Sequence, residues 1–364
     1  MYILYNAGTG YSTSCQLYSD KFGSILKVGV IVCFRKRRES VEYTISLTNK
    51  CNLRCSYCYE RHLNTTYGSI TPQIMHQITD FINRRSDAGT IYLFGGEPLL
   101  YKDEVKYFCE HLNAKKFVIT TNGTLLDEPF IQWCFERGVI INMSHDGAKC
   151  AERGVNREVL DANLKLLLQY QPETLVQLVY TKENLPQLYD NILYLKSLGV
   201  RRVSAAMDSF LVPDDPDSFG DLLREQWKKI AGISDIFIYE LSVKKRNILE
   251  HKRSTCEICR QKVFINWDGR FYPCVQFQNI PEYRCGDLTV GIDAEQARKA
   301  HPDYSMMSER CKGCEIADYC RNSCACRKMG TTGTVRDISE AACMEEQVQI
   351  LTALEMIANE KGGT

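Results

Sequence analysis

Residues 41–58 of this 364-residue chain read Val41-Glu-Tyr-Thr-Ile-Ser-Leu-Thr-Asn-Lys-Cys51-Asn-Leu-Arg-Cys55-Ser-Tyr-Cys58. The β-branched run Val41–Leu47 predicts a strand, and three cysteines follow it with the spacing C-x3-C-x2-C. Three thiolates can hold three irons of a cubane cluster and leave the fourth iron open for another ligand. A structural zinc site usually takes four protein ligands. Taken alone, the spacing leaves iron–sulfur, zinc and no metal open.

The sequence from Val41 to about residue 208 alternates between short β-branched runs and amphipathic helical patterns. Thr71 and Pro72 mark the start of one helix, and Gly138 and Gly199 mark the ends of two others. Six β–α units in succession predict an α/β fold, with a parallel sheet that is open or closed into a partial barrel. Ligands in such folds bind at the carboxyl ends of the strands. The strands predicted after the first are Thr90–Phe94, Lys116–Thr120, Val139–Met143, Thr174–Tyr180 and Arg202–Ala206.

The composition argues against several classes of protein. Lys plus Arg is 45 and Asp plus Glu is 45, so we expect neither nucleic acid nor an anionic membrane as the main partner. The amino terminus lacks the basic and apolar regions of a signal peptide, and the apolar stretch Ile25–Phe34 is too short to span a bilayer. We therefore expect a cytoplasmic protein. In the cytosol, cysteine clusters more often bind metal than form disulfides.

The cysteines form a second pattern near the carboxyl terminus, where 10 of the 18 fall between Cys256 and Cys343. Cys259, Gly269 and Cys274 have the spacing C-x9-G-x4-C. Hydrophobic periodicity is weak in this region, so we expect a second domain held together by metal rather than by an apolar core. A structural zinc ribbon is the alternative. The remaining cysteines of the pattern are Cys311-x2-Cys314-x5-Cys320-x3-Cys324 and, after eighteen intervening residues, Cys343.

The turns that follow the next three strands complete a resemblance to the radical S-adenosylmethionine (SAM) superfamily. Gly95-Gly96-Glu97-Pro98 follows the second strand, Thr121-Asn122-Gly123 the third and Ser144-His-Asp-Gly147 the fourth. The resemblance implies a [4Fe–4S] cluster on Cys51, Cys55 and Cys58, whose open iron binds the amino and carboxyl groups of SAM. The implied SAM contacts are Tyr57, Gly95, Gly96, Glu97, Asn122, Ser144 and Arg157.

The carboxyl-terminal pattern resembles the SPASM domain of radical SAM enzymes, which implies two auxiliary [4Fe–4S] clusters and three clusters in all. By the family pattern, Cys311, Cys314, Cys320 and Cys343 bind the distal cluster, whereas Cys259, Cys274 and Cys324 bind the proximal one. The family often places a fourth proximal ligand several residues before the first SPASM cysteine. Cys256, three residues away, is our choice; Cys285 and an open iron are the alternatives.

The predicted organisation has five parts. A β-hairpin extension at 1–40 precedes a radical SAM core, a partial (βα)6 barrel, at 41–210. A linker and helix at 211–255 lead to the SPASM domain at 256–345, and a helix and tail at 346–364 close the chain.

The resemblance implies an oxidoreductase that generates a 5′-deoxyadenosyl radical and oxidatively modifies a ribosomal precursor peptide, forming a thioether or carbon–carbon crosslink. A peptide epimerase is the alternative enzyme, with Cys326 as a speculative hydrogen donor. Formylglycine formation in the manner of anaerobic sulfatase maturation is less favoured. Val275, which cannot take a proton, stands where those enzymes carry an aspartate base. A zinc-stapled binding protein is the non-enzymatic alternative.

The expected partners are a precursor peptide or protein substrate and an electron donor such as flavodoxin or ferredoxin. Only 50 residues precede Cys51, so we expect the winged-helix domain that binds leader peptides in many relatives to be absent or reduced. The peptide would then be recognised by the barrel mouth, by the amino-terminal hairpin with its basic run Arg35–Arg38, or by a separate leader-binding protein.

Overall fold

The structure is a computed structural model, and it describes residues 12–16, 32–36, 40–63, 66–148, 151–253, 261–293, 295–297, 311–320 and 324–362. The predicted ligands Cys256 and Cys259 lie outside the described residues, as do Arg37 and Arg38 of the basic amino-terminal run.

The described residues contain the following strands and helices. The strands are β1 (Ser12–Gln16), β2 (Val32–Lys36), β3 (Val41–Ser46), β4 (Ala88–Phe94), β5 (Lys116–Thr121), β6 (Ile140–Ser144), β7 (Leu175–Tyr180), β8 (Arg202–Met207), β9 (Phe237–Ile238), β10 (Lys262–Ile265), β11 (Arg270–Tyr272), β12 (Gly286–Asp287) and β13 (Gly291–Ile292). The α-helices are α1 (Tyr59–Leu63), α2 (Pro72–Arg85), α3 (Lys102–His111), α4 (Glu128–Glu136), α5 (Arg157–Tyr170), α6 (Leu188–Ser197), α7 (Pro216–Ala231), α8 (Tyr239–Leu249), α9 (Ala325–Thr332) and α10 (Glu340–Gly362).

One sheet of eleven strands has the order β13-β12-β11-β10-β3-β4-β5-β6-β7-β8-β9. Each pair from β3 to β8 is parallel, and helices connect these strands. The predicted α/β fold with a partial barrel of six parallel strands is therefore confirmed. The short β9 adds a further parallel strand beside β8, while β1 and β2 form a separate antiparallel pair.

The core lies between the sheet and its helices because alternate strand residues point to the same face. Ile91 and Leu93 of β4 are fully buried, as is Ile141 of β6, and they belong to the same apolar cluster as Ile78 and Ile82 of α2. At the amino-terminal end of the strands, Tyr92, Lys116, Asn142 and Arg202 are among the residues that line a cavity of about 510 Å³. This cavity lies at the opposite end of the strands from the cysteine loop.

The helix boundaries follow local capping chemistry. Thr71 accepts a hydrogen bond from the Ile74 N–H at 3.3 Å and Pro72 opens α2, as predicted. Helix α4 begins at Glu128, because the Asp127 side chain accepts from the Phe130 N–H at 2.9 Å and caps the helix there.

The carboxyl-terminal region continues the sheet. β10 pairs parallel with β3, and β11, β12 and β13 follow in antiparallel pairs. Phe264, Tyr272, Phe277 and Val335 form a small buried cluster in this region. The described part therefore has an apolar core of its own, contrary to the expectation that metal alone holds it together.

Residues 211–253 contain more structure than the predicted linker and single helix. They form α7, β9 and α8, and α10 packs against both of these helices. Helix α10 begins at Glu340, several residues earlier than predicted. Within the described residues, no helix has the length and apolar character needed to cross a membrane.

Candidate active site

The cysteine loop lies at the carboxyl edge of the sheet, where the turns after β4, β5 and β6 converge. The Gly96 and Glu97 N–H groups donate to the Thr48 and Lys50 carbonyls at 2.8 and 2.9 Å. The Asn122 side chain donates to the side-chain oxygen of Asn52 at 2.8 Å. These contacts bring the β4 and β5 turns against the loop that carries Cys51, Cys55 and Cys58.

The chemistry of the three thiols fits an iron–sulfur cluster. The Leu53 N–H and the Asn122 side-chain amide donate to the Cys51 sulfur at 3.4 and 3.6 Å, and such hydrogen bonds stabilise a metal-bound thiolate. Burial raises the pKa of Cys51 to about 11 and also raises the pKa of Cys55 and Cys58, so cluster binding would release protons.

The described residues contain no group of three or more His, Cys, Asp or Glu side chains that could hold a single metal ion. A cubane cluster places a different requirement on its ligands, because each thiolate binds its own iron and the sulfurs need not converge on one point.

Glu97 is fully buried, and its carboxylate joins the ends of β4 and β5. One carboxylate oxygen accepts from the Leu99 N–H at 2.9 Å and the Thr121 hydroxyl at 2.7 Å, and the other accepts from the Asn122 N–H at 2.7 Å. Burial raises the pKa of this carboxyl. Its predicted contact with SAM stays a prediction, since the contacts in the structure are to the chain's own groups.

Gly95 and Gly96 lie where side chains have no room. A Cβ on Gly95 would be 2.3 Å from the Thr48 carbonyl oxygen, and one on Gly96 would be 2.3 Å from the Lys50 carbonyl oxygen. Gly95 also has φ of +153°, which disfavours any other residue. The two glycines therefore permit the β4 turn to pack on the cysteine loop, whatever they contact in SAM.

Tyr57 is held by two residues that the sequence did not identify, Asp146 and Arg153. The Tyr57 hydroxyl donates to the Asp146 carboxylate, and two nitrogens of the buried Arg153 guanidinium lie 2.8 Å from the same carboxylate. The guanidinium also lies 5.8 Å from the centre of the Tyr57 ring. Asp146 belongs to a turn that the sequence analysis singled out, but Arg153 lies in a stretch with no motif or periodicity to mark it.

Ser144 ends β6 at the same edge, and the turn that follows it is fixed by His145. The imidazole is fully buried and its Nε2 lies 2.9 Å from Asp161, while its Nδ1 accepts from the Gly147 N–H at 3.1 Å. Burial lowers the pKa of His145. Arg157, the predicted contact of the SAM carboxylate, donates to the Ala148 carbonyl at 2.9 Å.

The predicted auxiliary ligands that are described lie in two groups. Cys274 and Cys324 flank the small apolar cluster of the carboxyl-terminal region, in which Cys326 is buried. The side-chain amide of Gln278, four residues after Cys274, donates to the Glu60 carboxylate at 2.5 Å. Glu60, also missed from the sequence, therefore connects the cysteine loop with the Cys274 turn.

The second group contains the predicted distal ligands. Cys311, Cys314 and Cys320 follow one another in a short described segment, and Cys343 lies in the first turn of α10. The Lys244 ammonium of α8 donates to the Tyr319 carbonyl at 3.1 Å and so ties this segment to the helical layer.

The mouth of the barrel carries carboxylates near both cysteine regions. Asp208 follows β8, and burial raises its pKa. Ser209, the next residue, accepts a hydrogen bond from the Gln276 amide at 2.9 Å, which brings this strand end next to the Cys274 turn. Glu152 accepts from Thr181 and Asn184 at 3.2 Å each.

Comparison with known proteins identifies the class. Residues 45–224 match the family model of the radical SAM superfamily. These residues therefore form a radical SAM domain, a class of domain that uses SAM and a [4Fe–4S] cluster.

Individual relatives extend the likeness into the carboxyl-terminal region. The chain is 28% identical over 255 residues, 64% of this chain and 70% of the relative, to the tungsten-containing aldehyde ferredoxin oxidoreductase cofactor-modifying protein of Pyrococcus furiosus. It is 23% identical over 328 residues, 76% of this chain and 85% of the relative, to the cysteine-type anaerobic sulfatase-maturating enzyme of Clostridium novyi.

Two solved structures share the fold. Native anSMEcpe with bound AdoMet has a TM-score of 0.71 at 17% identity, covering 89% of this chain and 100% of that chain. Streptococcus suis SuiB bound to the precursor peptide SuiA has a TM-score of 0.62 at 16% identity, covering 84% of this chain and 76% of that chain. The fold is thus that of SPASM-type radical SAM enzymes.

Proposed function

We propose that this protein is a radical SAM maturase that oxidatively modifies a ribosomal precursor peptide through a thioether or carbon–carbon crosslink. The observation that carries the proposal is the packing of the Cys274 turn against the cysteine loop, where the Gln278 side-chain amide donates to the Glu60 carboxylate at 2.5 Å. A second redox group bound at this turn would suit a net oxidation of the substrate.

Each residue group has a defined part in this proposal. When bound, the cluster and SAM supply a 5′-deoxyadenosyl radical that removes a hydrogen atom from a substrate carbon. Asp146 and Arg153 fix the Tyr57 ring beside the loop, and Glu97 holds the β4 and β5 turns in register. Asp208 offers a carboxyl with a raised pKa at the barrel mouth, where it can take up the proton that an oxidation releases.

A peptide substrate is supported by two neighbours in fold. One is anSMEcpe, solved with the Kp18Cys peptide at a TM-score of 0.70, and the other is SuiB with its precursor peptide SuiA. The same proposal includes a flavodoxin or ferredoxin as electron donor, a separate leader-binding protein and the predicted domain boundaries.

Formylglycine formation on a sulfatase is the second candidate, because sulfatase-maturating enzymes are among the relatives. Val275 argues against it, since this residue follows Cys274 directly and has no group that can accept a proton.

Iron and sulfide analysis after anaerobic reconstitution tests the proposal. The wild type should bind about 12 irons, and a Cys51/Cys55/Cys58 triple alanine variant about 8, with reductive cleavage of SAM abolished. About 4 irons in the wild type, or stoichiometric zinc, would contradict the proposal.

Mass spectrometry separates the candidate reactions. We expect the Kp18Cys peptide to leave the reaction unchanged, and formylglycine in that peptide would favour the second candidate. With a precursor peptide, a crosslink removes two hydrogens from the mass, whereas epimerisation removes none.

A further inference from the structure

The cavity of about 510 Å³ at the amino-terminal end of the strands lies outside the candidate active site, and the inner face of the barrel forms much of its wall. Tyr92 of β4 pairs with Val118 of β5, which pairs in turn with Ile140 of β6. Leu175 of β7 and Arg202 of β8 are a further pair in the same wall. The volume is within the range of about 300–1,000 Å³ that small-molecule sites have.

The inner face of the strands is polar at this end, whereas the outer face carries the main core. Ile119 of β5 and Ile141 of β6 point outward and are fully buried in that core. Lys116, Asn142 and Arg202 line the cavity instead. Parallel strands are usually apolar on both faces, so three polar side chains in one cavity wall favour a polar or charged occupant.

The two cations that line the cavity have no carboxylate partner among the described residues. The Lys116 ammonium makes no ion pair there, and the Arg202 guanidinium lies 5.1 Å from the centre of the Phe237 ring. Glu173 is the carboxylate among the described lining residues, and it is paired at 3.3 Å with Arg201, which does not line the cavity. The described part of the wall therefore carries two uncompensated positive charges.

Hydrogen-bonding groups and aromatic rings complete the wall. The Thr174 hydroxyl is buried and has no hydrogen-bond partner among the described groups, and the Asn142 side chain likewise forms no hydrogen bond with them. Buried polar groups are nearly always hydrogen-bonded, so the Thr174 hydroxyl suits a ligand atom. Tyr92, Phe135 and Tyr170 contribute their rings, and those of Phe135 and Tyr170 meet edge to face at 6.1 Å.

We propose that this cavity binds a small organic anion that contains an aromatic ring. Lys116 and Arg202 bind the anionic group, the aromatic residues pack against the ring of the ligand, and Asn142 and Thr174 orient it by hydrogen bonds. The anionic group is either the carboxylate of an aromatic acid or the phosphate of a nucleotide. The site is at the opposite end of the strands from the cysteine loop, so the inference does not depend on the proposed function.

Isothermal titration calorimetry of the reconstituted full chain tests the proposal. SAM is present at saturation, so that the mouth of the barrel is occupied, and no reductant is added. The probes are 2-naphthoate and adenosine 5′-monophosphate, each compared with its neutral counterpart, 2-naphthamide or adenosine. We expect at least one of the anions to bind at one site per chain. Its neutral counterpart should bind about tenfold more weakly or worse, because hydrogen bonds to a charged group are the stronger ones.

Two double variants locate the site. Lys116→Gln with Arg202→Gln should weaken binding of the anion about tenfold or more and bring its affinity close to that of the neutral counterpart. Lys115→Gln with Arg84→Gln is the matched control, since it changes the net charge equally at residues that do not line the cavity. Lys115 is exposed and the Arg84 side chain is 79% exposed, so this variant should bind like the wild type.

Failure of both anions to bind, equal affinities for anion and neutral counterpart, or equal effects of the two double variants would overturn the proposal. Tighter binding of 2-naphthoate would assign the site to aromatic acids, and tighter binding of adenosine 5′-monophosphate to nucleotides. Circular dichroism checks that each variant is folded. If the variant with Arg202→Gln does not fold, the single variants Lys116→Gln and Lys115→Gln, both at exposed positions, provide the same comparison.

Discussion

Glu97 stabilises the candidate site through a carboxylate that only accepts hydrogen bonds, from Leu99, Thr121 and Asn122. Glu97→Gln places an amide nitrogen against one of these donors, so we expect a loss of about 1–3 kcal/mol in the free energy of unfolding. Denaturant unfolding measures this loss. Glu110→Gln, on the exposed face of α3, is the control and should unfold like the wild type. Equal behaviour of the two variants would contradict the role given to Glu97.

The buried pair of Asp146 and Arg153 should be costly to break. Asp146→Asn leaves the Arg153 guanidinium, of which only 6% is exposed, without its anion, so we expect a loss of about 3–5 kcal/mol in the free energy of unfolding. The matched control is Asp214→Asn, which removes an exposed pair with Lys182 and should cost less than about 1 kcal/mol. Chemical denaturation of both variants checks the difference, and similar losses would refute it.

The sequence predicted the residues whose chemistry is local and missed those whose role depends on long-range contacts. Cys51, Cys55 and Cys58 were found because metal ligands have characteristic spacings, and Gly95 and Gly96 because they form a motif after a strand. Arg153 and Glu60 were missed because each acquires its role from a partner that only the folded chain supplies.

The turn after β4 is the element that positions the cysteine loop, and Gly96 tests it. The φ of Gly96 lies outside the left-handed region, so Gly96→Ala acts by steric contact with the backbone of Asn49 and Lys50. We expect the free energy of unfolding to fall by about 1–3 kcal/mol. We also expect the protein to lose the roughly 4 irons of the SAM-binding cluster. Iron analysis and thermal unfolding measure these effects. In Gly220→Ala on α7 the nearest atom is 3.9 Å away, and helix propensity predicts a slight gain in stability there.

The contact between β8 and α8 should make stability depend on pH. Burial raises the pKa of Glu240 to about 7, above its unfolded value, so the native state binds more protons and stability falls as pH rises between about 4.5 and 7. Glu240→Gln removes this loss. The free energy of unfolding of the variant should match that of the wild type near pH 4.5 and exceed it at pH 8 by about 3 kcal/mol. Unfolding across this pH range is the measurement, with the exposed Glu355→Gln as control; a constant difference would contradict the argument.

At the scale of elements, periodicity predicted β3 to β8 to within a few residues, since buried parallel strands are β-branched and the helices between them carry clear caps. It missed β9, which has two residues and so no period to detect. The pairing of β10 with β3 joins segments more than 200 residues apart in sequence, and no local pattern encodes such a pairing.

Over the whole molecule, a buried network of charges joins the carboxyl-terminal helices to the barrel. Lys244 of α8 pairs with Glu346 of α10, and Arg327 of α9 pairs with both Glu345 and Glu346. The Tyr180 hydroxyl at the end of β7 donates to Glu345. The helix that carries Cys326 and the helix that carries Cys343 are thereby fixed to the same strand end, so the network positions both predicted auxiliary sites.

A double-mutant cycle on Lys244 and Glu346 tests this coupling. Both side chains are at most 2% exposed. Glu346→Leu leaves the buried Lys244 ammonium without its anion and should cost about 3–5 kcal/mol. Lys244→Met should cost less, because Glu346 keeps its pair with Arg327. The double variant removes both charges, and its loss in the free energy of unfolding should be smaller than the sum of the two single losses by more than about 0.5 kcal/mol.

The matched control is the neighbouring pair Lys245 and Glu360 on the same two helices. Glu360 is 59% exposed, so the coupling in this pair should be under about 1 kcal/mol. Denaturant unfolding of the reconstituted proteins gives both couplings. If the Lys244 and Glu346 substitutions proved additive, the network would not act as a unit, and the helices would be held by apolar packing alone.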